Sequence, residues 1–120
     1  MKEVDLKLPV TIDSKRYQES NWQAGVYENA LWFDFSIDTS NLKKSTRAVK
    51  GVIIFSDLFG EAKLKIGYTY DDPIAAGTQS VQVNGVGFDY NQYRNPHVWV
   101  RNTEIKDMVV HFQVSQIIYQ

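Results

Sequence analysis

The chain has no cysteine. That removes a disulfide framework, a thiolate-bound zinc or iron–sulfur centre, and a thiol nucleophile. Long apolar runs are missing as well. Nowhere do about 18 consecutive apolar residues occur, so no helical membrane span is expected, and residues 1–12 hold no signal-peptide core. The protein is expected either in the cytoplasm or, as a mature domain, in the cell envelope, and Met1 does not separate the two. A surplus of one charge is absent: 13 basic against 14 acidic residues leave a net charge of −1, which argues against a nucleic-acid binder. Asn-x-Ser/Thr sequons are absent too. What the chain does have is 120 residues, enough for one domain, and many rings: three Trp, seven Tyr and six Phe.

The leading pattern is alternation with period two, the signature of half-buried strands. Val4, Leu6 and Leu8 alternate with Asp5 and Lys7. Leu31, Phe33, Phe35 and Ile37 form one face of a strand whose other face carries Trp32, Asp34 and Ser36. Residues 48–55 are apolar on both parities and read as a central strand. Leu64, Ile66, Tyr68 and Tyr70 share a face opposite Lys63, Lys65 and Thr69. Residues 80–83 and 86–90 read as two short strands joined at Asn84-Gly85, a pair suited to a two-residue hairpin turn. His97-Val98-Trp99-Val100-Arg101 reads as a further strand. The last strand starts at Met108, and its apolar parity switches near Ser115-Gln116, which predicts a bulge. Turns are expected at 38–41, 58–61, 71–77 and 91–96. No window has sustained helical periodicity; the nearest, Asp13 to Gln23, is polar.

These elements predict an all-β domain, an antiparallel two-sheet sandwich of about seven to nine strands, with residues 1–16 as a candidate peripheral strand. Lys50-Gly51-Val52, the run Phe55-Ser56-Asp57-Leu58-Phe59-Gly60-Glu61, Asp72-Pro73-Ile74 with Ala76-Gly77, and Tyr90-Asn91-Gln92-Tyr93 resemble small bacterial immunoglobulin-like domains. Such domains occur in exported or membrane-tethered proteins. The resemblance spans residues 17–119. It implies an immunoglobulin-like fold, a core strand at Gly51–Phe55 and a turn at Asp57–Glu61. It carries no catalytic residues.

Chemistry is thinly signposted. His97 and His111 are the two histidines, without His-Glu-x-x-His spacing, so no metal site is expected. Asp71-Asp72 lacks EF-hand spacing and reads as a solvated turn before Pro73. The serines have no Gly-x-Ser-x-Gly context, and Gly85-Val86-Gly87 lacks the strand–turn–helix setting of a dinucleotide fingerprint. Lys43, Lys44, Arg47 and Lys50 cluster without an acid and read as a solvated loop rather than a phosphate footprint. The richest group is Tyr90, Tyr93, Arg94, His97 and Trp99 around one loop. Rings of this kind stack on sugars or anchor protein contacts; alternatively they pack inward, with Tyr90 as a corner tyrosine. Trp22, Tyr27 and Trp32 pose the same choice. These five residues are the expected partner-binding site of a non-catalytic interaction or accessory domain, in a bacterial cell-envelope protein. The alternative is a carbohydrate-binding module. Protein or glycan partners are expected, with no cofactor, no nucleic acid and no direct membrane insertion; self-association stays open.

Overall fold

In the computed structural model, residues 2–25 and 29–120 are described; Tyr27 lies outside them. Six antiparallel strands form one sheet: β1 (Lys2–Gln18), β2 (Ala30–Asp38), β3 (Thr46–Ser56), β4 (Ala62–Tyr70), β5 (Ser80–Asp89) and β6 (Val109–Tyr119). Their spatial order is β4-β3-β6-β1-β2-β5. A helix, α1 (Asn95–Asn102), lies between β5 and β6 in the chain. No described helix is long and apolar enough to cross a membrane.

The all-β class and the strand alternations hold. Leu31, Phe33, Phe35 and Ile37 are buried, while Trp32, Asp34 and Ser36 are half-exposed on the other face. The expected two-sheet immunoglobulin-like sandwich of seven to nine strands is replaced by a single six-stranded sheet. Three local differences account for the count. First, β1 is one long interior strand rather than a peripheral one: it pairs with β6 through Lys2–Val10 and with β2 through Val10–Gln18. Second, Asn84-Gly85 does not turn the chain. Phe33 faces Val86 and Phe35 faces Val83, so Asp34 opposes both Asn84 and Gly85 in a bulge of a continuous β5. Gly85 takes φ 70°, open to glycine without strain, and its N–H donates to the Asp34 carboxylate at 3.0 Å. Third, His97–Arg101 is helical.

Further bulges sit at Asp13 in β1 and at Ser115 in β6, the latter where the parity switch predicts it. Such bulges add bend and twist, and the sheet curls. The ring centroids of Phe33 on β2 and Phe55 on β3 are 5.1 Å apart, although β6 and β1 lie between those strands. A flat sheet would separate strands three places apart by about 14 Å. The concave face therefore closes on itself as the core, with Leu8, Phe33, Phe35, Ile53, Phe55, Phe112 and Val114 fully buried.

The helix seals one end of this core. Pro96 sits in its first turn, where a missing N–H costs nothing. Val100 is fully buried and Trp99 packs half-buried against the core. At the other terminus, Lys15 of β1 donates through Nζ to the carbonyls of Val100, Arg101 and Thr103, at 3.1, 3.0 and 2.5 Å. These are the orphan acceptors a helix end leaves over. Burial lowers the Lys15 pKa, and Glu104 nearby opposes that shift.

Candidate functional site

The five expected site residues fall into two groups. Tyr90, His97 and Trp99 are engaged within the fold. Tyr17 meets the Tyr90 ring edge-on, with centroids 5.3 Å apart, and the Arg101 guanidinium lies 3.6 Å from the Tyr17 centroid and 5.1 Å from that of Tyr90. His97 packs on Phe88 at 4.8 Å, and its Nδ1 accepts the Asn91 N–H at 3.0 Å. Burial, then the Arg94 charge, lowers the His97 pKa. Tyr93 is 86% exposed, and Arg94 is exposed beside it. The loop therefore presents one ring and one cation rather than a row of aromatic faces. Helical spacing is the reason: it sets His97, Val100 and Arg101 on one side, so that Val100 is buried, His97 packs on Phe88 and Arg101, itself exposed, lies over Tyr17, where a strand would have alternated them.

The other groups singled out from the sequence are dispersed. Arg47 donates to the Asp71 carbonyl at 2.7 Å and to its carboxylate at 3.2 Å. Lys44 lies over the Tyr119 ring. Trp32 rests against Gly87, where an added Cβ would fall 2.3 Å from the indole, and its Nε1 donates to Gln18 at 2.8 Å. Among the described residues, no group of three His, Asp or Glu side chains converges as a metal site would require.

The most exposed apolar feature is one that reading for strands and turns passed over. The β3–β4 hairpin turns at Asp57–Glu61, as expected, and its tip carries Leu58 at 62% and Phe59 at 98% exposure. This tip is built, not loose. One Asp57 carboxylate oxygen accepts the N–H groups of Phe59 and Glu61, each at 2.9 Å. The Asp57 N–H donates to the Glu61 carbonyl and the Gly60 N–H to the Asp57 carbonyl, both at 3.0 Å. Gly60 supplies the positive φ of 85° that the turn needs. Lys63 stands 3.7 Å from the Asp57 carboxylate and 3.5 Å from that of Glu61. The Glu61 N–H, first among these donors, holds the Asp57 carboxyl below its ordinary pKa. The available signal was the Leu58-Phe59 pair itself, two large apolar residues at a turn where polar ones are the rule.

Beside the tip opens a surface cavity of about 370 Å³, lined by Lys7, Pro9, Ser56, Gly60, Val109 and His111 among others. Val109 is 47% exposed. His111 points to the outer face, as the alternation predicts. Burial, then the Lys7 charge, lowers its pKa. Apolar walls with Lys7 at the rim thus adjoin an apolar tip flanked by two carboxylates that share Lys63. No protein-family model, no curated protein and no solved structure matches this chain.

Proposed function

We propose that this chain is a non-catalytic interaction domain that docks on a protein partner through the β3–β4 hairpin tip. One observation carries the reading: Phe59 stands almost fully in solvent on a turn whose backbone is fixed by the Asp57 carboxylate. An exposed aromatic costs solubility, while one carried on a fixed turn loses little backbone entropy on docking, so a ring placed this way suits a contact hot spot. The aromatic loop contributes Tyr93 and Arg94 as a secondary surface.

The test is a photo-crosslinking amino acid placed at position 59 or at position 93 in cells of the source organism. Protein adducts concentrated at 59 support the reading. Adducts confined to 93 return the site to the loop, and glycan adducts there favour the carbohydrate-binding alternative. An absence of adducts at both positions overturns the proposal.

A further inference from the structure

The tip and the cavity are complementary in three respects. In shape, one projects and the other recedes. Their apolar surfaces match: an apolar cavity of about 150 Å³ accepts a benzene ring, so a cavity of about 370 Å³ has room for the Phe59 ring with Leu58 beside it. Their charges are opposed: at the tip the Asp57 and Glu61 carboxylates outnumber the one Lys63 ammonium between them, and the Lys7 ammonium stands at the cavity. They are also neighbours, because Gly60, adjacent to Phe59 in sequence, forms part of the cavity wall. Within one molecule the tip does not fill the recess: Phe59 is 98% exposed. A two-fold axis passing near Gly60 brings each tip to the other molecule's cavity, and both contacts form at once.

We infer that the partner of the hairpin tip is a second copy of this chain, with Phe59 of each copy seated in the cavity between Lys7, Val109 and His111 of the other. This inference rests on the proposed role of the tip and names its occupant. A Phe buries about 150–250 Å². Two tips with their surroundings therefore give an interface at the small end of specific association, and a reversible, concentration-dependent dimer is expected.

Sedimentation velocity of the full chain from low micromolar to millimolar concentration tests this. Wild type should pass from monomer to dimer. Phe59→Ser should weaken association by about 10-fold or more, while Tyr93→Ser should leave it unchanged. Because residue 59 faces solvent, circular dichroism should show both variants folded. Lys7→Glu and Glu61→Lys should each weaken the dimer by about 5-fold, and combining them should restore it. A wild type monomeric at every concentration overturns the inference, as does a dimer indifferent to Phe59→Ser or a double reversal that fails to recover. If the chain stays monomeric while position 59 crosslinks to a different protein, self-association falls and the tip's role stands. If position 59 crosslinks to nothing, both fall.

Discussion

Lys15 is a strand residue whose ammonium completes a helix. It lies opposite Phe33 in the β1–β2 register, and its chain reaches three carbonyls at the end of α1. Lys15→Met keeps the aliphatic stem and removes the donor. It should lower unfolding stability by about 1–2 kcal/mol, read as a fall in the urea midpoint. Thr46 offers the opposite case. Its backbone pairs with Ile74 in both directions at 2.9 Å, yet its buried hydroxyl has no hydrogen-bond partner among the described residues. Thr46→Val should leave stability unchanged or raise it by about 1 kcal/mol. Titration should be visible as well. Asp34, held low first by the Gly85 N–H and then by Ser14, and Asp57, held low by the Glu61 N–H, have folded pKa values below the ordinary 3.8. Their contribution is present above 3.8 and is lost as pH falls through the folded values. His97 and His111 have folded values below 6.5, so the unfolded chain takes up those protons first. Stability is therefore full above 6.5 and declines as pH falls through the folded values. The urea midpoint should drop in two stages on acidification, and a His97→Gln, His111→Gln variant should lack the first.

The strands were legible because their alternation is a direct image of burial. Leu31 to Ile37 and Leu64 to Tyr70 can be read one residue at a time. The helix was not, because Val98 and Val100 are β-branched and alternate with His97 and Trp99 just as a strand would. Tertiary contacts decide that segment: the buried pocket for Val100, the Phe88 ring under His97 and the Lys15 cap are all distant in sequence. Asn84-Gly85 misled in a different way. A positive φ is needed there, but it serves a bulge opposite Asp34, and a dipeptide cannot tell the two uses apart. The bulge at Ser115 was legible because it moves the apolar parity of its own strand. It also explains Gly51, which pairs with Val114 just past the bulge. A Cβ at Gly51 would lie 2.1 Å from the Gln113 carbonyl oxygen, backbone that cannot swing away. Gly51→Ala should cost about 3 kcal/mol or prevent folding. Gly67→Ala on β4, with nothing within 4 Å, should be neutral or slightly stabilising. Denaturant curves of the two variants give the comparison directly.

For the molecule as a whole, the aromatic centre matters most. Phe33, Phe35 and Phe55 meet across the curl with centroids 5.1–6.0 Å apart. Phe55→Ala should remove about 3–5 kcal/mol, measured by chemical unfolding, and should loosen the sheet's closure rather than one strand alone. The sequence revealed each strand's inner face but not this meeting, because alternation does not record how far a sheet bends. The tip and its neighbouring cavity were hidden for the same reason: Lys7, Gly60 and Val109 adjoin only after β1, β3 and β6 are assembled. That assembly fixes an order of events. β1 takes β6 as its neighbour, with Lys2 opposite Ile117, and β3 needs the same β6 on its flank. During synthesis, β1 can engage β2 early while half of its length and one side of β3 wait for β6. The nascent chain thus leaves these two sides unpaired until β6 leaves the ribosome. Folding should be slow for a domain of this size, and chaperones that shield strand edges should bind it during translation and not afterwards.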